Sequence, residues 1–136
     1  MDDYDNGGQQ SIAHRNTDLA FSPNAIAALV LKIQATKNFN ISITSKYVGK
    51  QFLDNTSDAT RQLDAYYVTN INMNYTLKNK IGKELTFGIL MNNIFNHLYE
   101  NNGYTFSYLY GGSKTTENFY YPQAGFNILG RINLKF

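Results

Sequence analysis

Apolar and polar side chains trade places with a period of two over most of this chain, the spacing that sends alternate residues to opposite faces of an extended strand. From Asn24 to Ala35, the residues Ala25, Ala27, Leu29, Leu31, Ile33 and Ala35 share one face. After a tight "TKN" connection, Phe39, Ile41, Ile43 and Tyr47 alternate with Asn40, Ser42, Thr44 and Lys46, which predicts a hairpin. Between Ala65 and Leu77, Tyr67, Ile71, Met73, Tyr75 and Leu77 oppose Asn70, Asn72, Asn74 and Thr76. Leu85, Phe87, Ile89, Met91 and Phe95 oppose Thr86, Gly88, Asn92 and Asn96, with only Leu90 and Ile94 out of pattern. The last strand sets Phe126, Ile128, Ile132, Leu134 and Phe136 against Asn127, Arg131, Asn133 and Lys135.

The connections differ in length in a regular way. Lys50 to Asp64 is rich in Asp, Asn, Ser and Thr, whose side chains bond to nearby backbone, and reads as a long loop. "KNKIGKE" from Lys78 to Glu84 reads as a turn, and Tyr99 to Pro122 as a second long loop. The expected fold class is therefore all-β, an antiparallel up-and-down meander of about five long strands with short turns on one side and long loops on the other. Transmembrane barrels have this asymmetry, with aromatic girdles at the edges of the apolar band. Tyr47, Tyr66, Tyr67, Tyr75 and Tyr99, near strand ends, suit a girdle.

A soluble antiparallel sandwich alternates in the same way, with its greasy faces packed inside. Two features favour the barrel. Strands of eleven or more residues would exceed the five or six usual in globular sheets, and the polar faces read as amide-rich and uncharged, which suits a water-filled lumen. Five strands cannot close a lumen, since the smallest such barrels have about eight. The chain then reads as part of a larger barrel whose other strands cover its two edges.

Composition narrows the chemistry. A length of 136 residues suits one domain or a piece of one. There is no cysteine, which excludes disulfides, thiolate metal sites and cysteine nucleophiles. Formal net charge is +2 with no dense basic stripe, so nucleic acid is not an expected partner. Eleven Tyr and nine Phe with no Trp and only two Pro favour extended sheet. The longest nearly apolar run, Ala25 to Leu31, is too short for a spanning helix, and the opening "MDDYDNGGQQ" is acidic and unlike a signal peptide.

Four stretches carry a family resemblance: "FSPNAIAAL" (Phe21 to Leu29), "SKYVGKQFLDNT" (Ser45 to Thr56), "NNIFNHLYENNGY" (Asn92 to Tyr104) and "YYPQAGFNILGRINLKF" (Tyr120 to Phe136). In this order and spacing the chain resembles the C-terminal barrel segment of a TonB-dependent outer-membrane receptor of the Bacteroidetes-like kind. The resemblance implies a barrel of about 22 strands holding a plug, with residues 1–136 as its C-terminal portion and 1–17 a loop or partial strand. It further implies an outer-membrane, multi-pass transporter of a Gram-negative cell, energised by the TonB complex through an N-terminal region upstream of this segment. Its nutrient would be a ferric siderophore, or else haem, cobalamin or a glycan. Expected partners are outer-membrane lipid, the nutrient ligand and the barrel-insertion machinery. That machinery would read the terminal strand through Phe126, Ile128, Ile132, Leu134 and Phe136. Phe126 departs from the family, where Arg often follows the glycine, so no role of that Arg is carried over.

No catalysis is expected. His14 and His97 lack metal-ligand spacing, no nucleophile elbow is present, and "NNGY" and "YGGS" do not sit between a strand and a helix. Neither cofactor nor metal is expected. Ligand contacts would come from the long loops, where receptors place recognition on a rigid scaffold. Asp54, Asn55 and Thr56, with Tyr104, Tyr108 and Tyr110, are the candidates, although turn chemistry and self-packing account for such residues more often than ligand contact does.

Overall fold

The computed structural model describes residues 1–78 and 83–136. Among these the chain forms strands and no helix: β1 (Asp2–Asp3), β2 (Ile26–Gln34), β3 (Phe39–Val48), β4 (Gln51–Phe52), β5 (Gln62–Leu63), β6 (Tyr66–Lys78), β7 (Glu84–Asn92), β8 (Glu100–Tyr110), β9 (Ser113–Pro122) and β10 (Asn127–Lys135). The centre of the turn predicted at "KNKIGKE" lies outside the described residues. The strands divide between two compact units, one of Ala25–Val48, Tyr66–Leu98 and Ala124–Phe136, the other of Met1–Asn24, Gly49–Ala65 and Tyr99–Gln123.

The first unit is a five-stranded antiparallel sheet in the order β10-β7-β6-β3-β2, the five strands expected from the alternation, each beside its neighbour in sequence. Their lengths are 9, 10, 13, 9 and 9 residues, so that only β6 reaches the expected eleven or more. Val48 meets Tyr66 and Asn92 meets Asn127 at one end of the sheet, where the long connections leave; Gln34 meets Asn40 and Lys78 meets Glu84 at the other.

Because side-chain direction alternates strictly, register decides what each face displays. One face aligns Ile33, Ile41, Met73 and Ile89 in one row and Leu31, Ile43, Ile71, Met91 and Ile128 in the next. An aromatic row, Phe39, Tyr75 and Phe87, runs to Ile132 on one flank, and the Tyr47–Tyr67 pair lies on the other, where Tyr67 stacks on Phe95 with ring centroids 6.3 Å apart. The hydroxyls on this face satisfy each other: Tyr67 donates to Ser45 Oγ at 3.1 Å, and Ser45 and Thr69 bond at 2.9 Å. Among the described residues this face stays exposed, Phe87 at 42% and Ile132 at 72%. Of the proposed girdle residues, Tyr47, Tyr67 and Tyr75 lie here. Tyr66 has the opposite parity and is buried, and Tyr99 precedes β8 in the other unit.

The opposite face is rich in asparagine. Asn74 Nδ2 donates to Asn40 Oδ1 (3.2 Å) and Asn72 Oδ1 (3.3 Å), Asn92 Nδ2 to Asn127 Oδ1 (2.9 Å), and Thr76 bonds Thr86 at 3.1 Å. It is not uncharged, as the amide pattern alone suggested. Lys32, Lys46, Lys78, Glu84, Arg131 and Lys135, all the charged residues of these five strands, fall on it. The greasy face carries none.

The "NNIFN" stretch closes β7 with two asparagines in the left-handed region, Asn93 at φ 48° and Asn96 at φ 50°, a conformation Asn tolerates better than most residues. Asn93 is 3% exposed; its Nδ2 donates to the carbonyls of His97 (2.8 Å) and Ala124 (3.2 Å), and its Oδ1 accepts from His97 N (3.0 Å). Asn96 Oδ1 accepts from Phe126 N at 2.9 Å, guiding the chain into β10. The motif thus acts as the joint that aligns the last two strands.

The second unit corrects the largest sequence expectation: most of the second long loop is a hairpin, β8 paired with β9 in register from Tyr110–Ser113 back to Asn102–Tyr121. Gly111 and Gly112, both at positive φ (60° and 71°), make the two-residue turn. Such a turn matches the right-handed twist of the flanking strands, and glycine adopts it without steric cost. β1 adds in parallel to β8 through Asp2–Tyr108 and Asp3–Leu109. β4 and β5 form a short antiparallel pair inside the first long loop. Leu53 and Leu63 are buried here, Leu63 at 1% exposure.

Asn93→Ala should cost about 2–4 kcal/mol, the sum of several lost buried hydrogen bonds and a left-handed backbone that Ala resists. Urea unfolding measures it. Asn93→Gly, which relieves only the backbone, should recover a minor part of that loss.

Candidate ligand-contact surface

The loop before β5 is a series of local side-chain to backbone turns. Asp54 Oδ1 accepts from Thr56 N and from its hydroxyl, Thr56 Oγ1 accepts from Asp58 N at 3.3 Å, and Asp58 Oδ1 accepts from Thr60 N at 2.9 Å and its hydroxyl at 2.7 Å. Such bonds give the backbone partners without a ladder. Asn55 Oδ1 and Ser57 Oγ accept from Ala20 N (2.7 Å) and Asp18 N (2.8 Å), tying the N-terminal segment to the loop.

Arg61 holds this loop against the hairpin. It is 5% exposed; Nη1 donates to Asp54 Oδ2 at 2.6 Å, and Nη2 to Ser107 Oγ at 2.6 Å and Thr116 Oγ1 at 3.1 Å. Asp58 Oδ2 lies 3.7 Å from Nε. A buried charge is tolerable only when paired and hydrogen-bonded in this way. Arg61 had no role in the sequence reading. The visible signal was a lone cation among aspartates, and its partners on β8 and β9 are too distant in sequence for local pattern to find.

Burial pushes the Asp54 carboxyl up, but the bonds from Thr56 and Arg61 outweigh it and hold the group below the ordinary carboxylate value. Bonds from Thr60 likewise hold Asp58 down, with the Arg61 charge assisting. A cleft of about 510 Å³ opens beside this cluster, lined by Asp54, Thr56, Asp58 and Arg61 with His14 and Lys114.

The three candidate tyrosines share one face of the hairpin. Tyr104 stacks on Phe119 with ring centroids 4.8 Å apart, Phe119 on Phe106 (5.9 Å), and Phe106 on Tyr108 (6.1 Å); Tyr4 meets Tyr108 edge-on at 5.7 Å. Tyr108 also donates to Glu117 Oε1 at 3.0 Å, and a donor to a carboxylate parts less readily with its proton, so its pKa is raised. Tyr110 stands beside the turn, 70% exposed.

The six residues chosen from sequence therefore separate. Asp54 and Thr56 line the cleft, Asn55 fastens the N-terminal segment, Tyr104 and Tyr108 belong to the aromatic row, and Tyr110 stands free of it. Phe106, Phe119 and Tyr4 complete the row and were missed. The alternation around "YGGS" was the signal for the two phenylalanines, while Tyr4 is too distant in sequence for it. Among the described residues no three His, Asp or Glu side chains gather as metal ligands. The terminal-strand residues Phe126, Ile128, Ile132, Leu134 and Phe136 are all exposed. Phe126 and Phe136 flank β10 and lie outside its ladder.

Carboxyls held below their unfolded value contribute stability that is fully present above about pH 4 and is lost as pH falls through the lower native value. Proteolysis between Gly49 and Ala65 should stay constant from neutral pH to about pH 5 and rise at lower pH. Asp54→Asn should be cut more readily at neutral pH and change less on acidification. Compared with known families, curated proteins and solved structures, the chain matches none.

Proposed function

We propose that the five-stranded sheet is wall of a large outer-membrane β-barrel, the C-terminal portion of a TonB-dependent transporter that imports a scarce nutrient, a ferric siderophore foremost. The observation that carries this reading is one uncharged, mainly apolar face built in register by five strands and exposed among the described residues, with every strand charge on the other side.

Magnitudes favour a hydrocarbon neighbour. Five strands about 4.8 Å apart and nine residues of about 3.3 Å give an apolar face of roughly 19 by 30 Å, on the order of 600 Å². Covering it is worth roughly 15 kcal/mol at 25 cal/mol per Å², as much as the whole stability of a typical domain. Soluble monomers rarely leave that much contiguous apolar surface in water. Tilted about 40° as barrel strands are, a 30 Å strand spans about 23 Å, close to the 25 Å apolar band of outer-membrane barrels. The central rows are aliphatic and the flanking ones aromatic, again as such barrels require.

The outward edges of β2 and β10 also need partners, because an unpaired backbone group in hydrocarbon costs several kcal/mol. Further strands of the same barrel supply them in this reading. The upstream plug and TonB-contacting region would supply energised transport, and the second unit would present the ligand-facing surface.

The chain has no native cysteine, so single-cysteine variants of the complete gene product in bilayers give a clean test. Cysteine at 133 should react with a membrane-impermeant maleimide, and cysteine at 132 only after the bilayer is dissolved. Equal reaction of both in a detergent-free, water-soluble protein would instead point to a sandwich module. Deleting Phe136 should lower the amount of heat-modifiable, folded barrel recovered from the outer membrane while synthesis is unchanged.

A further inference from the structure

Leu90 breaks the alternation of β7, and its cross-strand partner Leu129 breaks that of β10 on the same wet face. The two leucines lie side by side there, with Leu129 56% exposed. Beside them the chain forms a recess of about 340 Å³ lined by Asn72, Gly88, Leu90, Leu129, Gly130 and Arg131. That volume lies within the range of small-molecule sites, which combine an apolar lining with a few oriented polar groups.

The polar groups of the recess are mainly donors. Arg131 Nη2 donates to Asn74 Oδ1 at 2.8 Å, which orients the guanidinium; Nε and Nη1 have no acceptor among the described residues. Asn72 Oδ1 accepts from Asn74, leaving the Asn72 Nδ2 donors without a protein acceptor among the same residues. Gly88 makes this arrangement possible: a Cβ there would stand 3.0 Å from Asn74 Oδ1 and 3.2 Å from Arg131 Nε. The one carboxylate on the wet face of these strands, Glu84, lies 3.4 Å from Lys78 Nζ. Lys32, Lys46 and Lys135 add further positive charge to the face.

We infer that this recess binds a carboxylate carried on an apolar body. The free Arg131 donors can give a charge-assisted hydrogen bond to a carboxylate oxygen, Asn72 Nδ2 adds a second donor, and Leu90 and Leu129 take the apolar portion. The excess of cations on the face draws such an anion toward the wall and disfavours a cationic ligand. The inference rests on the proposed function only in requiring that the wet face stay open to solvent in the whole protein.

The test is a saturation-transfer NMR titration of 4-phenylbutyrate against the complete protein in nanodiscs, with the uncharged 4-phenylbutanamide as control. The acid should bind at least tenfold more tightly than the amide. Arg131→Gln should remove that preference, Arg131→Lys should retain part of it, and Leu129→Asn should weaken acid and amide together. Equal affinity of acid and amide for the native protein, or acid binding unchanged in Arg131→Gln, overturns the inference and leaves the barrel reading intact, provided cysteine at 133 is labelled. If cysteine at 133 is sealed from the maleimide, the recess is closed to solvent and both readings fall.

Discussion

Register is the constraint on which the sheet depends. With a side-chain period of two, slipping any one strand by a single residue would move its apolar set onto the wet face and its amides onto the greasy one. Five strands held in the same phase make one face of Ile, Leu, Met and aromatic residues. The asparagine joint between β7 and β10 matters for this reason. Its hydrogen bonds to His97 and Ala124 set the phase of the final strand against its predecessor.

The two faces also explain why the meander reads so clearly from residues alone. Ile41, Ile71, Phe87 and Ile132 declare their direction by parity, and no distant contact needs to be known to assign it. What parity revealed less readily was strand pairing within a stretch of loop-like composition, and contacts between segments far apart. The β8–β9 hairpin is built from Gly, Asn, Ser, Thr and Tyr, the residue types that also populate loops, so composition concealed it while "YLYGGSKT" carried a turn signal. Arg61 was invisible for a related reason, since Ser107 and Thr116 lie 46 and 55 residues away.

The second unit is organised by polar bonds more than by a large apolar core. Leu53 and Leu63 are buried, but Asp3, Gln51 and Arg61 of the same unit are buried as well. Polar networks in a low-dielectric setting are exacting: complete, they hold one geometry, and losing one member leaves the others costly to bury. A unit stabilised in this way can hold His14, Lys114 and Tyr110 on its surface without a thick hydrophobic layer beneath them. The greasy sheet obeys a different rule, because its order comes from a backbone ladder and its oily face waits for a neighbour.

Asp5 clasps the hairpin turn, its two carboxylate oxygens accepting the amides of Gly111 and Gly112 at 2.8 and 2.9 Å. Those partners are 106 and 107 positions apart, so the clasp joins the beginning of the unit to its far tip. Short of proline, no substitution removes either glycine amide, and the anion that accepts from both is the chain's own. Docking of the first residues and restraint of the tip are therefore coupled: lifting the leading segment away would take the carboxylate acceptor from both turn amides, leaving the β8–β9 ladder to hold the turn.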